Sequence, residues 1–249
     1  MNENEFVYGK NPVLSLLEAK KRQVSRLYIA KEMKADDKLN RIIQTAKESG
    51  ITILWVPRSK IDSMADAVHQ GVLAAVSPVE MLSLNEFLAG LKKKKDPALV
   101  LILDGIEDPY NFGSIIRSAA AAGVDGIIFP KRRSSGITAT VEKASAGTVE
   151  LVQLVQTSNL NSAMEKLKEN NFWIAGADIA AEKYYFEHDY NMNTAFVLGN
   201  EGAGMSPLVK KNCDFLVKIP MNENVNSLNV SNSAAVLLYE VVRQRLKGL

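Results

Sequence analysis

The 249-residue chain has little with which to build a metal or disulfide site: one cysteine, Cys213, and two histidines, His69 and His188. A single thiol excludes an internal disulfide, and two histidines far apart give no metal-ligand spacing, so no metal is expected. Cys213 stands in CDFLVKIP beside an expected strand, where a buried thiol acts as a small hydrophobe rather than a nucleophile. No apolar run approaches the ~18 residues that span a bilayer, and the opening MNENEFVYGKNP has no basic stretch leading into an apolar one. The expectation is a cytoplasmic protein with no membrane partner. Net charge is only +2, so a polyanion must be met by local patches rather than by an overall field. Two nucleotide signatures are missing as well. There is no G-x-x-x-x-G-K-[ST] loop, and glycines at Gly199, Gly202 and Gly204 fall in the wrong order for G-x-G-x-x-G. Both absences count against a P-loop nucleotidase and a nicotinamide enzyme.

What is present is an ordinary globular composition, 47% hydrophobic. Residues 1–78 alternate helical and strand patterns: NPVLSLLEAKKR, VSRLYIA, DDKLNRIIQTAKESG, ITILWV, RSKIDSMAD and GVLAAVSP. They describe a small α/β domain with its own core. Its basic residues, Lys10 and Arg22 among them, lie in a segment that also holds Tyr8, Tyr28 and Trp55. That combination suits RNA phosphates and bases, but it equally suits solvated helix ends and core aromatics. Residues 79–97 form a linker with one capped helix, SLNEFLAGL, and a lysine run, KKKKDP.

Residues 98–249 form a second domain. ALVLILD, GIIF, VELVQLV, FWIAGA, TAFVLG and DFLVKIP are nearly continuous apolar runs separated by helical stretches, the pattern of a mostly parallel sheet covered on both faces. Ligands of such sheets sit beyond the carboxyl ends of the strands. Three post-strand loops therefore converge as a candidate site. The first, DGIEDPYNFGS, holds Asn111, with a helix start expected near Gly113–Ser114 and Arg117 one turn in. An inward guanidinium there needs an anion, for which a phosphate is the natural partner. The second, Gly199 to Pro207, has glycines that let backbone approach a ligand. The third holds Asn222, Asn224, Asn226, Ser227, Asn229, Ser231 and Asn232 ahead of an apolar helix. Some of these cap the helix, and the density of polar side chains beyond capping marks a binding wall. The basic loop Lys131, Arg132, Arg133 follows GIIF at the same sheet end and is a better RNA candidate than the lysine run.

Asn111-x-Gly113-x-x-x-Arg117, Gly199-Asn200-Glu201-Gly202-x-Gly204, and Ile219-Pro220-Met221 followed by Ser227-Leu228-Asn229-Val230-Ser231 resemble the three ordered motifs of the SpoU/TrmH branch of the SPOUT methyltransferases. VYGKNPVLSLL and HQGVLAAVSP are similar to the RNA-binding domain of RlmB-like bacterial members, which is related to kink-turn-binding ribosomal proteins. The resemblance implies a Rossmann-like parallel sheet with a C-terminal trefoil knot, and homodimers through the catalytic domain. It implies methyl transfer from S-adenosylmethionine to a ribose 2′-hydroxyl in RNA, with a 23S rRNA guanosine as the RlmB-type substrate and tRNA as the alternative. A non-catalytic RNA-binding protein is a third reading, against which the intact loops speak. Carried over, Asn111, Arg117, Glu201, Ser227 and Asn229 surround the reacting hydroxyl. Leu198, Gly199, Gly204, Ile219, Met221 and Leu228 would hold the cofactor, while Lys10, Arg22, Lys131, Arg132 and Arg133 are the candidates for RNA contact on their charge and position alone. Because a guanidinium has a pKa above about 12, Arg117 is expected to clamp phosphate while Glu201 accepts the proton.

Overall fold

The computed structural model describes residues 5–65, 68–222, 224–225 and 227–246. In chain order the strands and helices are β1 (Glu5–Tyr8), α1 (Lys10–Ala19), β2 (Val24–Ala30), α2 (Asp37–Glu48), β3 (Thr52–Val56), α3 (Arg58–Asp62), β4 (Val72–Val76), α4 (Leu84–Leu91), β5 (Leu99–Asp104), α5 (Pro109–Ala121), β6 (Gly126–Pro130), α6 (Ala139–Ala144), β7 (Gln153–Thr157), α7 (Leu160–Glu169), β8 (Trp173–Ala177), β9 (Thr194–Gly199), α8 (Pro207–Lys211), β10 (Phe215–Val217) and α9 (Val230–Leu246). They fall into two compact units, residues 1–80 with 137–151, and residues 81–136 with 152–249. Among the described residues no helix is long and apolar enough to cross a membrane.

The first unit is a four-stranded sheet in the order β1-β4-β2-β3, antiparallel except for the β2–β3 pair. Its core is closed by the apolar faces of α1 and α2, with Val13, Leu16, Leu17, Leu39 and Ile42 buried against Leu27, Ile29 and Val72. Segment 137–151, which the sequence alone groups with the second domain, packs here. Gly147 lies so close to α1 that a Cβ would stand 2.8 Å from Pro12 Cα. Arg22, expected to face RNA, is instead a buried structural cation. It donates Nε to the Ser77 carbonyl (2.7 Å) and pairs with Glu142 (2.9 Å), Glu150 (3.2 Å) and Glu5 (3.1 Å). A charge removed from water must be matched by opposite charge, and three carboxylates occupy the places a phosphate would need.

The second unit is a six-stranded sheet in the order β10-β8-β9-β5-β6-β7, with every pairing parallel. Strands buried on both faces account for the unbroken apolar runs in the sequence. The segment read as a linker over 79–97 contributes α4 to this unit. Ser83 and Glu86 form a capping box, and Phe87 is fully buried in the core. Gly126 makes room for it, since a Cβ there would lie 2.5 Å from the Phe87 ring. The chain runs from β5 outward through β6 and β7, crosses to β8 on the other side of β5, fills the place between them with β9 and ends with β10 outside β8, so β5 and β9 flank the point where strand order reverses. Loops leaving the carboxyl ends of strands at such a point diverge and leave a crevice.

The buried carboxylates of the first unit set a pH dependence. Burial outweighs the attraction of Arg22 and lifts Glu142 to about 7 from an ordinary 4.5, with Glu150 and Glu5 adding repulsion. Among the described residues its Oε2 has no hydrogen-bond partner. A carboxyl raised in the folded state holds its proton more tightly there, so its contribution to stability is full below about pH 4.5 and is lost as pH rises through about 7. The stability of Glu142→Gln relative to wild type, measured by urea unfolding, is therefore expected to improve between pH 5 and pH 8. An unchanged difference across that range would contradict this assignment.

Candidate active site at the carboxyl ends of β5, β8, β9 and β10

The first wall is the start of α5. Asp108 caps it, accepting from the N–H groups of Tyr110 (3.2 Å) and Asn111 (3.1 Å), with Pro109 in the first turn. The helix thus begins four residues before the Gly113 start read from sequence. A proline with preset φ and an aspartate cap make a stronger start signal than glycine and serine. With Asp108 as the cap, the Asn111 side chain is released for another partner.

The second wall is the glycine loop after β9. Asn200 and Gly204 exchange backbone hydrogen bonds (3.0 and 2.8 Å), while Asn200 Oδ1 accepts from the N–H groups of Gly202 and Ala203 and its Nδ2 donates to the Gly105 carbonyl (2.8 Å). Asp104 Oδ2 receives the Ser206 N–H at 2.7 Å. The turn is tight enough that a Cβ on Gly199 would stand 2.2 Å from the backbone of Gly204 and Met205, so no other residue fits. Asn200 organises this loop and was not singled out by sequence reasoning. Within Gly199-Asn200-Glu201-Gly202, sequence alone does not separate a side chain that folds its own loop from one that touches a ligand.

The third wall is the loop entering α9, and Asn229 joins it to the other two. Its Nδ2 donates to Asn111 Oδ1 (2.8 Å) and Glu201 Oε1 (2.7 Å), and its Oδ1 accepts from the Ser231 N–H (2.9 Å) and hydroxyl. Two donors and two acceptor sites exhaust the amide. Glu201 Oε1 also accepts from the Val230 N–H at the first turn of α9 (3.3 Å). Three of the expected residues, Asn111, Glu201 and Asn229, are therefore in direct contact although 118 positions separate the outer two.

Beside this cluster lies a cleft of about 430 Å³, lined by Leu198, Gly199, Gly204, Ser227 and Leu228 and, from the end of β8, by Asp178. A smaller lobe of about 90 Å³ adds Ile219 and Met221. All six residues assigned to cofactor binding line one or both. β8 pairs with β9 only as far as Gly176–Val197, whereas β5 continues to Asp104–Gly199. The last two residues of β9 thus have one edge without a sheet partner. Free main-chain groups, apolar walls and a glycine, Gly204, with nothing among the described residues within 4 Å of an added Cβ fit a nucleoside-sized ligand held by its base edge. The β8 end was missed in the sequence, where FWIAGA reads as a strand but the loop after it has no motif.

Other expected residues stand apart. Arg117 is exposed, and among the described residues it has no ion-pair or hydrogen-bond partner and no place in the cleft lining. Lys131, Arg132 and Arg133 are exposed after β6. Lys10 is paired with Asp36, and Arg22 is committed to its carboxylates. Asn226 lies outside the described residues. Burial lifts the Cys213 thiol to about 12, which removes it as a nucleophile. Among the described residues no cluster of His, Cys, Asp and Glu could hold a metal.

Residues 98–239 match the SpoU rRNA Methylase family, and residues 6–82 match the substrate-binding domain described for RNA 2′-O ribose methyltransferases. The chain belongs to the SpoU methylase family. It is a SpoU/TrmH family RNA methyltransferase. The Bacillus subtilis protein YacO is 42% identical over 98% of this chain and 97% of its own length, and a Staphylococcus aureus relative is 47% identical over 83% of this chain and 84% of its own. Both are named within the TrmH family of tRNA/rRNA methyltransferases. Among solved structures, the SpoU methyltransferase AviRb of Streptomyces viridochromogenes in complex with AdoMet superposes with a TM-score of 0.81 at 24% identity, over 98% of this chain and 91% of that one. An AdoMet-bound rRNA methyltransferase of Sinorhizobium meliloti gives 0.79 at 20% identity, over 96% and 87%. The A. aeolicus TrmH/SpoU tRNA modifying enzyme gives 0.55 at 27% identity, over 66% and 85%.

In this methylase, Asn229→Ser keeps an oxygen that can cap α9 but removes the amide bridge. It is expected to lose about 100-fold in kcat/KM while its Tm stays within about 3 °C of wild type. Activity within a few-fold of wild type would show that the bridge is not needed.

Proposed function

We propose that the enzyme transfers a methyl group from S-adenosylmethionine to a ribose 2′-hydroxyl, most specifically of a guanosine in 23S rRNA. The observation that carries this reading is the contact of Asn111, Glu201 and Asn229 at the mouth of a glycine-floored cleft. Two further observations support the substrate. The first unit matches a substrate-binding domain of RNA 2′-O ribose methyltransferases. Likeness to the Sinorhizobium rRNA methyltransferase runs over 96% of the chain, whereas likeness to the A. aeolicus tRNA enzyme runs over 66%. A tRNA substrate is the second reading.

When bound, S-adenosylmethionine supplies an electrophilic methyl group on a sulfonium. Leu198, Ile219, Met221 and Leu228, which line the cleft and its smaller lobe, would cover its base, and the open edge of β9 at Leu198–Gly199 would offer it main-chain hydrogen bonds. The protein's remaining task is alignment and removal of one proton. Glu201 uses Oε1 to hold Asn229 and Val230, which leaves Oε2 to take the hydroxyl proton. Asn111 and Asn229 fix that carboxylate, and Ser227 hydrogen-bonds the ribose from the cleft wall. Arg117, exposed and without a carboxylate partner among the described residues, clamps the substrate phosphate as a permanent cation. Lys131, Arg132 and Arg133 hold the flanking backbone. The same reading includes a C-terminal trefoil knot and a second copy docked through the C-terminal unit. Exposed Tyr239 and Leu246, seven residues apart on one face of α9, support that dimer.

The direct test is transfer of labelled methyl to unmodified 23S rRNA and to tRNA, with the product nucleoside identified by mass. The expected product is 2′-O-methylguanosine in 23S rRNA. Label in tRNA alone would move the substrate, and label on a base rather than a ribose would overturn the chemistry. Arg117→Lys and Glu201→Gln are each expected to lose at least about 100-fold in turnover. Near-full activity in both would refute the assigned roles.

A further inference from the structure

The loop between β8 and β9 carries a run of ring side chains that the site described above does not use. Two of them anchor it. Tyr190 is fully buried, packs on Phe196 at 5.2 Å between ring centroids and donates its hydroxyl to the Tyr185 carbonyl (2.7 Å). His188 stacks on Phe215 of β10 at 4.3 Å, with the rings 14° from parallel. The others face outward. Tyr184 is 38% and Phe186 47% exposed, yet their rings stack on each other at 5.4 Å and 14°, and Tyr185 meets Phe186 edge-on at 5.2 Å. Apolar ring surface left exposed forgoes the free energy of burial, so a stacked and uncovered pair calls for a partner.

The pair is fixed to the wall of the cleft. Tyr185 N–H donates to the Lys218 carbonyl (2.9 Å), Lys218 N–H donates to the Lys183 carbonyl (3.1 Å), and Glu187 accepts the Tyr184 N–H (2.6 Å). Lys218, whose neighbours Ile219 and Met221 line the smaller lobe of the cleft, lines it as well. Its ammonium sits 5.1 Å from the Tyr184 ring centroid. Of the nearby carboxylates, Asp178, which lines the same lobe as Lys218, is paired with Lys210 (2.6 Å), Glu187 is turned onto the backbone and Asp189 onto Asn191. The outward surface is thus two parallel rings beside a cation, continuous with the candidate active site.

We infer that Tyr184 and Phe186 form a stacking platform for a nucleobase of single-stranded RNA next to the target nucleotide, with Lys218 at the adjoining phosphate. The inference rests on the RNA methyltransferase reading of the cleft. Flat rings accept any base on their free face, because every base has a π-face to stack. A lysine beside the stack adds charge complementary to phosphate. The platform positions RNA and takes no part in proton transfer, so its loss falls on KM.

Phe186→Leu, Phe186→Trp and Tyr184→Leu in the full-length enzyme test this, using steady-state methyl transfer to the accepted RNA, calorimetric S-adenosylmethionine binding, and photocrosslinking of RNA carrying 5-iodouridine near the target. Phe186→Leu and Tyr184→Leu are expected to raise KM for RNA about tenfold or more, with much smaller changes in kcat and in cofactor affinity. Phe186→Trp restores KM, because a flat ring rather than bulk is what is needed, and crosslinks map to Tyr184 or Phe186. An unchanged KM with crosslinks elsewhere overturns the platform. A Phe186→Leu variant that turns a dimer into a monomer also overturns it, since the rings would then be covered by a second copy of the chain. A wild-type enzyme that methylates no RNA defeats the parent reading and the platform together, whereas an active wild type with an indifferent Phe186→Leu defeats the platform alone.

Discussion

The site depends on one carboxamide. Asn229 spends both its hydrogens across the loops, on Asn111 and Glu201, and both its acceptor positions on its own helix start at Ser231. The first two bonds tie together loops that leave β5 and β9, and the last two tie them to α9. A single exposed hydrogen bond contributes little to stability, about 0.5–1.5 kcal/mol. A saturated amide that three loops share does something different: it removes the freedom of each loop to move without the others. Rotating the amide by half a turn would bring its oxygen against the Glu201 carboxylate, so the network has one orientation.

That amide can act only because the sheet delivers the loops to one place. All-parallel pairing puts every strand's carboxyl end on the same side, and the reversal of order between β9 and β5 opens the crevice there. Inside it, local groups prepare each loop before any ligand arrives. Asp108 caps α5 and frees Asn111, Asn200 folds the glycine loop onto itself, and Gly199 permits an approach of 2.2 Å between a notional Cβ and the turn that returns past it. The early end of the β8–β9 ladder leaves main-chain groups facing the cleft, and the ring pair of Tyr184 and Phe186 is attached to the same strand ends.

Much of this was legible in the sequence because its causes are local. Unbroken apolar runs such as ALVLILD report strands covered on both faces, and the three polar or glycine-rich loops that follow such strands contain Asn111, Glu201 and Asn229. Arg22 was not legible as a structural cation, because its partners Glu142 and Glu150 are 120 and 128 residues away. A charge looks the same in sequence whether it meets a phosphate or a buried carboxylate. Segment 137–151 hid its packing for the same reason, since the small size of Gly147 matters only against Pro12 and Ser15 of α1. The start of α5 was misread despite a local signal, Asp108–Pro109, that outweighs the glycine and serine after it.

The most direct measurement of the central claim is a double-mutant cycle on kcat/KM with Asn111→Ala, Asn229→Ala and the pair, each checked for folding by thermal unfolding. If one amide network joins the loops, the first substitution breaks it and the second adds little, so the double variant is about as impaired as the worse single one. If the two losses instead multiply, Asn111 and Asn229 act independently, and the bridge between them is not what assembles the site.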